Sequence, residues 1–250
     1  MMKRSSAVVA GSLWIALSAQ AGMIYDFVTT MVRPRTTEKV SGRMWVEGDF
    51  YRAEFERDGK RTILISRDGD QSAAILDPAK STWSNRARIA GASMRSAALF
   101  AWPTTGAEVK GKPKVTHRTE KTTAIAGEPA VAHVIEASFR VESIVGGSPL
   151  RGKLRMKATI WTSPTLPELP MQRRRLRTGY DAVDVELEKA EQNVHGMVLR
   201  HELEVTRTFE GGPPETEKTT TAIANLQHTT VDEAFFTVPE TYRYSGPKTQ

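Results

Sequence analysis

From residue 50 the chain alternates. Tyr51, Ala53 and Phe55 interleave with Arg52, Glu54 and Glu56, the two-residue period of a strand with one dry face and one wet face. The pattern predicts strands at 22–33, 37–48, 50–57, 61–67 and 71–77, then a short strand ending at Trp83. Between them stand Glu47-Gly48-Asp49, Arg57-Asp58-Gly59 and Asp68-Gly69-Asp70. Such steps signal hairpins, because glycine takes up positive φ at little cost. Pro34 closes the first strand.

The rhythm changes at 86–101, where alanines are frequent and Met94, Ala97, Ala98 and Ala101 share one helical face. A short amphipathic helix is expected there, ended by Trp102-Pro103, with a Gly/Pro/Lys loop at 104–114. Strands resume at 115–125, 129–142 and 151–162. In the last, Leu154, Met156, Ala158 and Ile160 point one way, and Arg155, Lys157, Thr159 and Trp161 the other. "TSPTLPELP" is too rich in proline for regular structure. Tyr180, Val183, Leu187, Ala190 and Val194 then fall at helical spacing, with Thr178 and Asp181 placed to cap a helix over 178–194. Strands at 196–209 and 216–227 follow, and "VDEAFFTVPETYRY" adds a short one. No break in composition divides the chain. The expected fold is mainly β (α+β), in one domain over 22–250.

Charge and composition place it in the cell. Met1-Met2-Lys3-Arg4 precedes an apolar run, Ala7 to Ala19, and Ala19-Gln20-Ala21 has the small residues that a signal peptidase reads. The run is shorter than the ~20 apolar residues needed to cross a bilayer. Residues 1–21 are therefore expected to be a cleaved signal peptide, with an uncleaved N-terminal anchor as the alternative, and the protein is expected in the periplasm. Lys3 and Arg4 are the leader's only charges, so the other 229 residues carry 33 basic against 29 acidic groups, a net charge of +4. That balance is mild and interleaved, so no nucleic-acid partner is implied. There is no cysteine, which excludes disulfides, thiol chemistry and an N-terminal lipid anchor.

Candidate chemistry is sparse. "HELEV" at 201–205 lacks the second histidine of a metalloprotease helix, and no Gly-x-Ser-x-Gly occurs. His133 and His201 both fall on apolar strand faces. They either meet across a cavity, where they would bind a metal or a headgroup, or stand apart as hydrogen-bonded core histidines. Glu186, Glu188 and Glu191 read as a solvated helix face. An enzyme is not expected, nor a metal or cofactor.

The stretch "GRMWVEGDFYRAEFERDGKRTILISRDGDQSAAILDPAKSTW" resembles the bacterial lipoprotein carriers of the Lol system. Gly42, Trp45, Val46, Ile63 to Ser66 and Asp77-Pro78 match that family's motifs. "DEAFFTVPETY" is similar to the superfamily's ending. Ile125-Ala126-Gly127-Glu128-Pro129-Ala130 resembles an element of a related family of uncharacterised exported proteins. In the carriers an arginine follows the Trp-Val strand; here Gly48 and Asp49 stand in its place, and no helix precedes the first strand.

The resemblance implies a curved antiparallel half-barrel, short helices over its concave face, and acyl chains between. It implies inward, ligand-binding roles for Trp45, Phe55, Ile65, Met94, Ile135, Phe139, Met156 and Ile160. Arg173, Arg174 and Arg175 lie where the family's lid would be; they either attract an anionic headgroup or surface or form a solvated entry to the helix. The expected function is binding or transport of a hydrophobic small molecule or lipid in the cell envelope, with a membrane surface or a lipoprotein as further partners. The alternative is a structural or sensor module that docks a protein, its cavity filled by its own side chains.

Overall fold

The computed structural model describes residues 22–57, 59–69, 72–87, 106–169, 172 and 176–246. One open, curved sheet of twelve strands organises the molecule, consistent with a half-barrel. Six strands form a first meander: β1 (Met23–Arg33), β2 (Thr36–Glu47), β3 (Phe50–Arg57), β4 (Lys60–Ser66), β5 (Ser72–Asp77) and β6 (Thr82–Ala87). Five form a second: β7 (Glu108–Ile125), β8 (Glu128–Val145), β9 (Ser148–Ser163), β10 (Met197–Phe209) and β11 (Glu215–His228). The order is β12-β6-β5-β4-β3-β2-β1-β11-β10-β9-β8-β7, so β11 joins the two meanders by pairing with β1. The last strand, β12 (Arg243–Tyr244), runs parallel to β6; all other pairs are antiparallel.

The predicted strands are present within a few residues of their expected ends. β7 begins at Glu108, inside the expected loop, and a register irregularity between Lys110 and Lys114 accommodates Gly111 and Pro113. A bulge leaves the proline without a ladder bond to donate. The long β7–β8 and β8–β9 hairpins turn at Ala126-Gly127 and Gly146-Gly147, all four with positive φ. Two successive positive values match the twist of the flanking strands. β6 begins at Thr82 where a strand ending at Trp83 was expected, and Arg86 and Ala87, assigned in advance to a helix, extend it. The rest of that helix lies outside the described residues, as do the leader and its cleavage site.

The second helix is α1 (Asp181–Glu191), flanked by Tyr180 and Gln192. Val183, Leu187 and Ala190 are its buried stripe, as the spacing required. Its start is held in the opposite sense to the expected caps. Tyr180 is the N-cap and makes no side-chain cap bond. Asp184 instead reaches back: its Oδ1 accepts from the Thr178 amide and hydroxyl, each at 2.7 Å, and its Oδ2 from the Gly179 amide at 3.2 Å. Where one closing strand was expected, the C-terminal segment has a 3₁₀ turn (Glu233–Phe236) before the two-residue β12.

Candidate ligand face and its covers

The strand register sorts side chains onto two faces, and we call the face under α1 the inner one. On β8 and β9 it carries Ile135, Ala137 and Phe139, which pair with Ala158, Met156 and Leu154, and Ile160, which pairs with His133. Leu176, Val183, Leu187 and Val194 pack down on the apolar ones, and each of these eleven apolar side chains is at most 3% exposed. Tyr180 closes the edge, its ring 5.7 Å from that of Phe139 and edge-on. Burial pushes the Tyr180 hydroxyl pKa up. Of the eight apolar residues expected to line a ligand site, Ile135, Phe139, Met156 and Ile160 are thus brought together, but inside a core that the chain fills itself.

The segment after β9 covers the next part of this face. Leu166 and Leu169 join Met23, Tyr25, Val46, Tyr51, Met197, Leu199 and Ile223 in a second buried cluster. Gln172 clamps the segment to β10, donating to the Val198 carbonyl at 3.1 Å and accepting from the Val198 amide at 2.8 Å. The strand passes so close that a Cβ on Gly196 would sit 2.0 Å from the Ser163 carbonyl oxygen. Only glycine fits there, and its φ of +88° suits only glycine as well.

On the β1–β3 side the inner face continues through Phe27, Gly42, Met44 and Phe55. Phe27, Met44 and Phe55 remain half-buried. Gly42 lies between Phe27 and Phe55, where a Cβ would come within 2.9 Å of the Phe27 ring and 2.7 Å of the Phe55 Cβ. Phe55 is therefore inward, as expected, and partly accessible.

Trp45 and Ile65 are not inward. Both pair with Arg52, one from each side, so all three point to the outer face. There Ile63, Ile65 and Leu76 form a third buried cluster with Val231 and Phe236, joined by Ile24, Trp45, Phe50, Trp83 and Phe235. The C-terminal segment is its cover. Trp45 meets Phe235 at 5.2 Å, Phe50 meets Phe236 at 5.9 Å and Trp83 meets Tyr244 at 4.8 Å, all between ring centroids. Arg52 fastens the strap: it donates to the Phe235 carbonyl at 3.1 Å, stands 4.3 Å over the Phe235 ring and pairs with Glu54 at 2.6 Å. Glu47 accepts from the Val231 amide at 2.9 Å.

The cue to this second dry face was present in the chain. Ile63-Leu64-Ile65 and Ala73-Ala74-Ile75-Leu76 are unbroken apolar runs, which a strand needs when both its faces are covered. Met94 and Arg173 to Arg175 lie outside the described residues.

Of the two alternatives for His133 and His201, the structure shows the second: they stand apart, and His133 is buried and hydrogen-bonded. Ile160 pairs with His133 on one side and His201 on the other, so these two share the inner face but stand two strands apart. His133 also meets His117, with Nε2 of His117 3.3 Å from Nδ1 of His133. On the outer face, Arg200 stacks 5.0 Å over Trp161 beside a broad groove of about 900 Å³, lined also by Thr123, Ile125 and Ala132. None of the expected site residues lines it.

No family model matches the chain, and no curated protein does. Among solved structures, a DUF1329 family protein from Desulfovibrio piger is similar over 88% of this chain and 91% of its own, at 10% identity and a TM-score of 0.32. An outer membrane lipoprotein-sorting protein domain from Vibrio parahaemolyticus is similar over 88% and 90%, at 13% identity and 0.30. MucA/MucB of Pseudomonas aeruginosa, a complex, is similar over 85% and 96%, at 9% identity and 0.23.

Proposed function

We propose that the chain is a non-catalytic binding protein of the cell envelope, with its hydrophobic ligand held on the β1–β3 part of the inner face. The observation that carries this reading is the contrast in burial along that face. Ile135, Phe139, Met156 and Ile160 are sealed under α1, whereas Phe27, Met44 and Phe55 keep part of their surface accessible. An acyl chain laid on these three gains roughly 0.8 kcal/mol for each methylene it buries. The β7–β10 half then acts as a fixed clamp.

The second reading is a module that docks a protein partner, and the self-filled β7–β10 half favours it. Solvent extraction of the protein from its own envelope, followed by titration with a fluorescent fatty acid, separates the two. Ligand binding predicts co-extracted lipid and a probe signal that Phe55→Asp weakens by tenfold or more while the fold survives. An absence of lipid together with an absence of probe binding leaves partner docking as the reading. Lipid binding that Phe55→Asp leaves unchanged would put the ligand elsewhere on the sheet.

A further inference from the structure

We infer that His117 and His133 form a two-histidine site for a divalent transition metal at the β7 edge of the sheet. His117 pairs with Ile135 and His133 with Thr119, so the two side chains are diagonal neighbours on the inner face of one hairpin. Their rings lie 13° from parallel with centroids 5.5 Å apart. His133 is 8% exposed and His117 half-buried, so the pair is held by the sheet on one side and reachable on the other.

The separation is the informative quantity. Two imidazole nitrogens bound at about 2.0–2.1 Å to one tetrahedral ion stand about 3.3–3.4 Å apart. Nε2 of His117 and Nδ1 of His133 are 3.3 Å apart before any metal enters. Metal binding needs Nε2 of His117 and Nδ1 of His133 both as lone-pair donors, in place of the hydrogen bond that one now gives the other. The ring torsion that turns them toward a common ion is broad and soft. Neutral imidazole favours zinc, nickel, copper or iron over calcium and magnesium.

The site is open rather than closed. His201 lies two strand spacings from His133, about 10 Å, and cannot join it. Among the described residues no third histidine, aspartate or glutamate completes a set. Water or a donor from a bound molecule takes the remaining positions. An ion held by two side chains with free positions can grip an incoming carboxylate or phosphate, a use that a closed structural site does not allow.

The test uses the purified chain without a polyhistidine tag, titrated calorimetrically with zinc and with nickel. One ion should bind per chain. Loss of a group that hydrogen-bonds a metal ligand costs a metal site roughly 10–100-fold in affinity. Loss of a ligand should cost at least that, so His117→Gln and His133→Gln should each weaken binding tenfold or more. His201→Gln should leave it within twofold. Where either variant melts early, the unaltered chain gives the answer: cobalt should shift or broaden the imidazole resonances of His117 and His133 and spare those of His201. No binding at millimolar zinc, undiminished binding by His117→Gln, or cobalt effects centred on other residues would each overturn the site. In the first case the pair shares a proton and nothing more.

Discussion

The β7–β10 half and the β3–β6 half are parts of one sheet, yet they are sealed from opposite sides. In the first, the dry face is the inner one, with α1 laid on Ile135, Phe139, Met156 and Ile160. The outer face there carries exposed charges such as Arg155 and Lys157. In the second, Ile63, Ile65 and Leu76 face outward beneath the C-terminal strap, while the inner face also buries Ala53, Ser66 and Ala73. A strand dry on one side can be oriented from its alternation. A strand dry on both sides cannot, because a one-residue shift exchanges two apolar faces. The inner face of the first half is therefore committed to structure, and partial accessibility is left to Phe27, Met44 and Phe55.

The sharpest way to break this comparison is to reverse polarity on one strand of the first half. Met156→Asp buries an unpaired charge at a side chain that is 2% exposed, and should cost about 4 kcal/mol. Lys157→Asp, one residue on and exposed, should cost less than about 0.5 kcal/mol. Thermal melting of both variants checks the pair. Equal shifts would mean that the strand does not separate a dry face from a wet one.

The second half should respond through its outer cover. Phe236 is fully buried, and Phe236→Ala should cost about 3 kcal/mol through lost burial and the cavity left behind. Hydrogen exchange should speed up in β3–β6 and in the strap, with α1 protected as before. Loss of protection in α1 first would mean that the halves are not sealed independently.

These elements also mark how far the chain could be read in advance. Strands with clean alternation, β3 and β9 above all, were legible in both position and facing. So was the α1 stripe, because a helix of this length needs one apolar face and the spacing supplied it. Trp45 and Ile65 face outward, against the half-barrel expectation, because register with Arg52 sets their side. Trp45 sits between Met44 and Val46, and all three are wholly or half buried, so no alternation identifies the side. The His117–His133 contact was not legible, since it depends on the β7 register, and a bulge between Thr119 and Thr122 resets that register. The reversed cap at Asp184 was hidden for a local reason: Thr178 is a good capping residue in the wrong place, two positions too early.

Electrostatics act on both halves: Lys110 lowers the Glu108 carboxyl pKa on β7 and Lys189 that of Glu186 on α1, both at the surface, while the more enclosed Glu54 lies on β3. Burial tends to raise the Glu54 carboxyl pKa, but hydrogen bonds from Arg61 and Arg52 outweigh it and hold it below the usual carboxylate range. Asp68 is lowered by Ser72, and Asp26 by Arg43 and Asn225. Lowered carboxylates contribute stability that is complete above their unfolded values, near pH 4, and is lost as pH falls through the folded ones. Acid should therefore loosen β1–β5 below about pH 4. Glu54→Gln should cost about 2 kcal/mol at neutral pH, the scale of charge-assisted hydrogen bonds, and should flatten the acid limb. A limb of unchanged steepness would remove Glu54 from this role.

The smallest expected effect tests whether α1 is held at its start as firmly as its packing suggests. Asp184 accepts from two amides and a hydroxyl, and these bonds fix the turn at Thr178-Gly179 that aims the helix at the sheet. Gly179 has a φ of +82°, which the turn obtains from glycine at little cost. Asp184→Asn keeps the oxygen that serves Thr178 and turns an amide NH₂ toward the Gly179 N–H, setting donor against donor. The cost should be about 1 kcal/mol, one ordinary hydrogen bond plus the poor contact that replaces it. Amide exchange at 176–183 should rise several-fold while the strap and β3–β6 stay unchanged. If exchange rose equally in both halves, the seal under α1 and the seal under the strap would belong to one cooperative unit, and the division drawn between them would fail.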